Sequence, residues 1–339
     1  MEIKNKRAIV FGGAGFIGSQ LCERLLNEGV KELIIFDNFS SGRKENIESI
    51  AGFRKVEVVK ADILNFEKVK KAMKGTEIVS HHAAELEVFI GISDPMHDLR
   101  INILGTLNIL RAAVENKKSI KKIIYASSAG IYGQAEYIPQ DEGHPLNPHW
   151  PYGVSKLAGE KYCTMFYNFY SLPIVSLRYA IVYGPREWYG RVLTLFLKRV
   201  ANGKPPVVFG DGQQTRDFIY VTDAIDANIL AIKNDRSNGQ VFNIGSGKAT
   251  TIKELAGKII LAGGLKSKLI FDDPLPGAPS RYQPGRSRLP SELKKLTLDI
   301  RKAQKILGFK PKILLKDGIM KEIEWFRNTR DAWDYSPRV

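Results

Sequence analysis

The spacing of apolar residues changes twice within the first forty positions. Ala8, Ile9, Val10 and Phe11 form an unbroken apolar run of strand length. Beyond Gly12, Gly13, Gly15 and Gly18, the apolar positions Phe16, Ile17, Leu21, Leu25 and Leu26 recur at helical spacing, and 33–36 is again unbroken. This pattern predicts strand, tight turn, helix, strand. The alternation continues, with strands predicted over 56–59, 78–80, 122–126 and 174–177 and helices over 66–73, 95–117 and 152–170. Repeated strand–helix units with right-handed crossovers predict an α/β fold, a doubly wound parallel sheet covered on both faces.

After about Tyr183 the alternation loosens into connections rich in glycine and proline, including Gly184, Pro185, Pro274, Pro276, Pro279, Pro284 and Pro290. A smaller C-terminal substrate-binding domain is expected there. The expected division assigns 1–182 to the sheet domain, with 217–249 returning to it, and 183–216 and 250–328 to the smaller one. Residues 329–339 lack helical periodicity and read as a tail.

Composition narrows the class. A chain of 339 residues with 44% hydrophobic content can bury a full core. No run of eighteen apolar residues occurs, and Met1, Glu2, Ile3, Lys4 does not begin a signal peptide. A cytoplasmic protein with no membrane partner is expected. Cys22 and Cys163 fall inside helical patterns and read as buried reduced thiols. The net charge of +15 raises nucleic acid as a partner, but the lysines are scattered and no nucleic-acid motif accompanies them. No nucleic-acid partner is expected: the charge reads as a solvated basic surface, compatible with steering an anionic small molecule inward.

The first turn carries chemistry. Gly13, Gly15 and Gly18 let the backbone turn sharply and approach a pyrophosphate, which then meets the N–H groups and positive dipole end of the helix. Asp37 closes the second strand nineteen residues after Gly18, placed to accept the two ribose hydroxyls of an adenosine. A carboxylate there repels a 2′-phosphate, so NAD is expected over NADP. The sheet is thereby read as a Rossmann fold.

Three further residues converge on that crevice. Tyr152 and Lys156 are four apart at a helix start and share a face, and Ser128 follows the fifth strand, whose carboxyl end borders the ligand crevice. A tyrosine and lysine at this spacing are common on solvated faces; it is their combination with the glycine turn and the serine that points to catalysis. An adjacent ammonium and an oxidised nicotinamide would lower the phenol's pKa toward neutrality. Tyr152 could then take a proton from a sugar hydroxyl while hydride leaves the same carbon, with Ser128 hydrogen-bonding the oxygen. His81 and His82 lack further ligands at metal spacing, so strand-end packing is expected and no metal.

At these residues the chain resembles the extended short-chain dehydrogenase/reductase family, and within it the nucleotide-sugar epimerases and dehydratases, most closely those of the UDP-galactose 4-epimerase type. The matching positions run from Arg7 to about Phe326. They include Gly12, Gly15 and Gly18; Asp37, Asn38, Ser41 and Gly42; Asp62 and Ile63; His81, Ala83 and Ala84; Asn102, Gly105 and Thr106; Ser127, Ser128, Tyr132 and Gly133; Pro151 through Lys156; Arg178, Tyr183, Gly184, Pro185 and Arg186; and Gly210, Asp211, Gly212, Arg216 and Asp217.

The resemblance implies NAD as cofactor and a UDP-sugar as substrate. It places Asp62 and Ile63 beside the adenine and Ala83 and Ala84 beside the pyrophosphate, with Asn38, Ser41 and Gly42 among the cofactor-binding residues. Phe16 and Ile17 open the cofactor helix, and Asn102 supports the central helix. Val192, Phe209 and Arg216 are implied in substrate binding, Phe209 against the base and Arg216 on the diphosphate. Asp299 and the helix after it resemble a closing element, and a homodimer is implied.

Two departures stand out: Ile181 replaces an asparagine usual in related epimerases, and the 286–299 segment is longer than usual. In the family's dehydratases and decarboxylases a glutamate follows the active-site serine or threonine, whereas Ser128 is followed by Ala129 and Gly130. The expected activity is therefore an NAD-dependent 4-epimerase of the UDP-glucose/UDP-galactose type. The alternatives are a 4,6-dehydratase or C3/C5 epimerase of the same family, and a non-catalytic NAD-binding sensor.

Overall fold

A computed structural model describes residues 1–187, 190–283, 285–289 and 291–329. Pro284, Pro290 and the 330–339 part of the expected tail lie outside the described residues. The chain begins β1 (Arg7–Phe11), α1 (Phe16–Asn27), β2 (Glu32–Asp37), α2 (Glu48–Ala51), β3 (Val56–Lys60), α3 (Phe66–Met73) and β4 (Ile78–His81). Then come α4 (Val88–Ser93), α5 (Pro95–Leu99), α6 (Gly105–Glu115), β5 (Lys122–Ser128), α7 (Pro151–Tyr170), β6 (Ile174–Tyr179) and β7 (Ile181–Tyr183). The second half runs α8 (Val192–Ala201), β8 (Val207–Phe209), β9 (Thr215–Tyr220), α9 (Val221–Lys233), β10 (Val241–Ile244) and β11 (Ala249–Thr251). It closes with α10 (Ile252–Gly263), β12 (Ile270–Asp272), α11 (Arg301–Leu307) and α12 (Leu315–Asn328).

Seven strands form one parallel sheet in the order β10-β6-β5-β4-β1-β2-β3. Alternate residues of each strand point to opposite faces, so Ala8 and Val10 join one buried cluster with α1 and α9, while Ile9 and Phe11 join the other beneath α3, α6 and α7. With both faces covered, the strands read as unbroken apolar runs. The first cluster continues without a gap into α8, α10 and α12. Two small sheets, β11-β9-β7 and β12-β8, lie in the second half of the chain.

The 95–117 helix is three abutting segments: α5, a π-helical turn over Arg100–Leu104, and α6. Apolar spacing runs through all three, which is why the sequence reads as one helix. The wider turn carries Asn102, whose side chain reaches three other elements, and single π turns concentrate at such places. Two elements past Tyr183 were hidden by the loosened pattern. Helix α9 is buried on nearly every side, from Val221 and Ala224 to Ala231 and Ile232, so it shows no polar face. Strand β10 is only four residues long. Among the described residues no helix is long and apolar enough to cross a membrane.

Candidate active site

β1, β2 and β4 end level: Phe11 pairs with Phe36 on one side and His81 on the other. Gly12, Asp37 and His82 therefore emerge together, at the point where strand order reverses and such sheets open a crevice. Gly12 has φ of +76°, and a Cβ there would lie 2.6 Å from the Ala83 backbone nitrogen. Ala83 thus passes as backbone against the glycine turn, with Ala84 next in the loop. The Gly12 carbonyl occupies the space a side chain at Gly18 would need. Gly15 caps α1 without a side-chain hydrogen bond, so the N–H groups at Phe16, Ile17 and Gly18 are offered to an anion.

Asp37 is buried, its Oδ2 accepting from the Ala14 N–H at 2.9 Å and its Oδ1 from the Phe39 N–H at 2.8 Å. Each oxygen retains lone pairs for a ribose hydroxyl. Burial raises its pKa, and the two amides act against the shift. The loop through half-buried Ser41 folds back so tightly that a Cβ on Gly42 would sit 2.7 Å from Asp37 Oδ1. Asn38 Nδ2 donates to Asp62 Oδ2 at 2.9 Å, joining the loops after β2 and β3. Beside them Ile63 is buried against Gly105.

Ser128 is the last residue of β5. The strand runs two residues beyond the expected end because Ser127 and Ser128 pair with Arg178 and Tyr179 of β6. Its Oγ accepts from the Gly130 N–H at 3.0 Å and starts a 3₁₀ turn over Ala129–Ile131. Tyr152 enters α7 behind Pro151, which suits the first helical position. A Cβ on Gly130 would lie 3.3 Å from Ser128 Oγ and 3.8 Å from the Tyr152 ring, so both side chains converge on that glycine, and the phenol interacts with the Ser128 hydroxyl.

Lys156, one turn on, is 3% exposed and its ammonium lies 4.9 Å from the Tyr125 ring centroid. Burial pulls its pKa down to about 8. The expectation of a lowered Tyr152 pKa is corrected by the protein alone: burial raises it, with Asp98 adding to the rise, while Arg191 and Ser128 act against it. Desolvation of the phenolate outweighs the nearby cations.

His81 Nε2 is 2.9 Å from Thr106 Oγ1, and its ring packs between Phe11 and Tyr125. His82 stacks on Tyr179, and burial lowers its pKa to about 3. Both rings are neutral packing elements. Among the described residues no cluster of ligating side chains could hold a metal.

Two supporting networks join members from distant elements; the resemblance marks Asn102 and Arg178, but not the partners Glu85, Asp98 and Glu160 that they hold. Asn102 Oδ1 accepts from the Glu85 N–H at 2.9 Å, while its Nδ2 donates to the Glu85 carbonyl at 2.9 Å and to Asp98 Oδ2 and Ser155 Oγ, each at 3.0 Å. It thereby ties the loop after β4 to α5 and α7. Deeper, the Arg178 guanidinium meets Glu160 of α7 at 2.6 and 3.0 Å, and Ser127 Oγ donates to Glu160 Oε2 at 2.7 Å. Arg178 also donates to the Tyr132 hydroxyl, which in turn donates to Asn243 Oδ1. This buried pair clamps α7 to the strand end that carries Ser128; removing either partner would strand a charge in the core.

Phe209 ends β8, and the Gln214 side chain donates to its carbonyl at 3.2 Å, linking it to β9 and Arg216. The Arg216 guanidinium donates to the Thr215 carbonyl at 2.8 Å; burial lowers its pKa, with Glu292 opposing. Val192 is the first residue of α8. Ile181 opens β7 and packs against the main core, where an apolar side chain suffices. Asp299, two residues before α11, accepts from the Arg301 N–H and guanidinium.

The cradle fits NAD on these observations: helix N–H groups for the pyrophosphate, a buried carboxylate with spare lone pairs for the adenosine ribose, and the buried Lys156 ammonium, one helical turn from Tyr152, for the second ribose. Residues 8–245 match a family model described as the NAD dependent epimerase/dehydratase family. A Methanocaldococcus jannaschii protein provisionally named UDP-glucose 4-epimerase is 39% identical over 325 residues, 94% of this chain and 98% of its own. A UDP-N-acetyl-alpha-D-glucosaminuronate decarboxylase from Bacillus cytotoxicus is 32% identical over 95% of this chain and 98% of its own. Among solved structures, the UDP-glucose 4-epimerase of Thermotoga maritima with UDP-glucose is 34% identical, with a TM-score of 0.85 over 96% of this chain and 99% of that one. Matching along nearly its whole length, the chain belongs to the NAD-dependent epimerase/dehydratase family of enzymes, and its cofactor is NAD.

Proposed function

We propose that the protein interconverts the C4 epimers of a nucleotide sugar, of the UDP-glucose and UDP-galactose type, through transient oxidation at C4. One observation carries the reading. Ser128 and Tyr152 converge on Gly130 with Lys156 one turn further along α7, while the turn after Ser128 contains only Ala129, Gly130 and Ile131, none able to transfer a proton. Bound NAD supplies the acceptor for the hydride and the means of returning it. As phenolate, Tyr152 takes the proton from the 4-hydroxyl and later gives it back. Ser128 donates a hydrogen bond to the oxygen as it becomes a carbonyl. Lys156 holds the nicotinamide ribose. Phe209 borders the uracil, Arg216 pairs with the diphosphate, and Val192 lines the approach. Without a local acid and base for loss of water, the 4-keto sugar turns over in the site and is reduced on its other face.

The test is incubation with UDP-glucose and no added NAD, followed by NMR. UDP-galactose is the expected product; a 4-keto-6-deoxy sugar from UDP-glucose, or carbon dioxide from the corresponding UDP-uronic acid in a parallel incubation, would overturn the reading. In the corresponding division of labour, 1–182 with 217–249 binds NAD, and 183–216 with 250–328 binds the substrate.

The same reading includes a homodimer. On the outer face of α4, α5 and α7, Phe89, Ile92, Met96, Leu99, Val154, Met165 and Phe169 are exposed, Phe169 to 78%. Leu104 of the π-helical turn joins them. A contiguous apolar face of this kind marks an association surface, and two helices from each copy would cover it as a four-helix interface. Light scattering at micromolar concentration is expected to give twice the 38.0 kDa chain mass; a monomer would count against the interface.

A further inference from the structure

A buried ammonium ordinarily takes a carboxylate as its partner. Lys156 does not: among the described residues no carboxylate makes an ion pair with it. What its ammonium meets is the face of Tyr125, 4.9 Å from the ring centroid. Tyr125 lies in β5, on the strand that ends in Ser128, and is itself buried. Its ring is held from two sides. The hydroxyl donates to the Lys156 carbonyl at 3.3 Å and lies under Gly159 of α7, where an added Cβ would collide with it. The His81 ring packs on Tyr125 with centroids 5.7 Å apart, and its Nε2 is 2.9 Å from Thr106 Oγ1. The Thr106 hydroxyl in turn donates to the Asn102 carbonyl at 2.7 Å.

We propose that Tyr125 is a positioning residue for Lys156: the electron-rich face of its ring holds the ammonium in place and in its charged form, leaving the N–H groups that turn away from the ring for the nicotinamide ribose. The proposal rests on the reading of Lys156 as the residue that holds that ribose, not on which sugar is turned over. The other groups around the ammonium supply little charge. His81 and His82 at the end of β4 are neutral, because burial lowers the pKa of each. Burial pushes the Cys163 thiol of α7 up, so it stays protonated. Glu160 of α7 is taken by Arg178 at 2.6 Å. Asp98 of α5 accepts from Asn102 Nδ2 at 3.0 Å, and Tyr152 lies one turn back on α7. An ammonium in a dry site loses its hydration, and burial already draws the Lys156 pKa down to about 8. A carboxylate would keep the ammonium charged but engage its donors. The quadrupole of an aromatic ring attracts the cation from one face and takes up no ligand-directed donor. The N–H groups left over then make charge-assisted hydrogen bonds, the stronger kind.

The experiment compares wild type with Tyr125→Phe, with mono-, di- and trifluorophenylalanine in place of Tyr125, and with Tyr125→Leu, all in the NAD-loaded protein. Fluorine draws electrons from the ring face and changes its size little, so the series weakens the attraction and spares the packing under α7. The Lys156 titration is read by NMR of carbon-13-labelled lysine side chains and assigned with Lys156→Met. Tyr125→Phe should keep the wild-type pKa, each added fluorine should lower it, and Tyr125→Leu should lower it by about one unit. The alkaline limb of the kcat/KM profile should move down by the same amount, with turnover on that limb falling about tenfold, while the acidic limb stays in place. The NMR titration needs no substrate, so it separates failure of this proposal from failure of the epimerase reading. A Lys156 titration that stays put from phenylalanine to trifluorophenylalanine would overturn the proposal and leave Tyr125 a wall of the core. An equal fall in every variant, Tyr125→Phe included, would also overturn it, since the effect would then trace to the lost hydroxyl. If Tyr125→Leu does not fold, the fluorinated series, which keeps the ring, decides the matter.

Discussion

Tyr152→Phe is expected to lower turnover by about 100-fold or more, the range for loss of a general acid–base group, while NAD affinity changes little. The ring keeps its packing behind Pro151 and against Gly130; only the oxygen that carries the proton is lost. The cofactor contacts ascribed to Asp37, the glycine turn and Lys156 lie elsewhere and are untouched. Stopped-flow detection of reduced nicotinamide on mixing with substrate, together with calorimetry of NAD binding, separates the two effects. Near-normal turnover with the variant would move the base to another residue. Lys156 adds a pH signature. Its pKa, pulled to about 8 by burial, lies below that of an unfolded lysine, so the folded apoprotein sheds this proton first. Burial of the ammonium opposes folding at neutral pH, and this contribution is relieved as pH rises from about 8 toward 10.5.

NAD is expected to bind far more tightly than NADP, by about 100-fold or more. The carboxylate of Asp37 is buried, pinned by two backbone N–H groups and overlain by Gly42, so it cannot swing away from a 2′-phosphate. A like-charge contact forced in a partly desolvated site costs several kcal/mol. Asp37→Ser, which leaves a hydrogen-bonding oxygen but removes the charge, should narrow the preference. Calorimetry giving equal affinities for the two cofactors in wild type would remove this role from Asp37.

The cofactor half of the site was legible because its signals are local. The glycine turn lies between a strand and a helix whose apolar spacings differ, and Asp37 follows at a fixed distance on the adjacent strand. Tyr152 and Lys156 were legible for the same reason, as neighbours on one helix face. What escaped was set by tertiary packing. Arg178 is marked by the resemblance, but its partner Glu160 is not, because the two meet only where α7 is laid on β6. The direction of the Tyr152 shift depends on burial, which no motif encodes. The π-helical turn was invisible because its apolar residues keep the rhythm of the helix around them.

The path of the chain through the large sheet bears on how the molecule unfolds. After β6 the backbone leaves that sheet for β7, α8, β8 and β9, then returns through α9 to add β10 at the edge beside β6. One buried cluster spans both regions. No single cut separates a foldable half from the remainder: a fragment ending after β6 would lack the α9 cover and the edge strand, and would expose Val175 and Leu177. With one core shared between them, the two regions are expected to melt together, so that calorimetry should record a single transition and a substitution that strengthens the small region should strengthen the cofactor cradle with it.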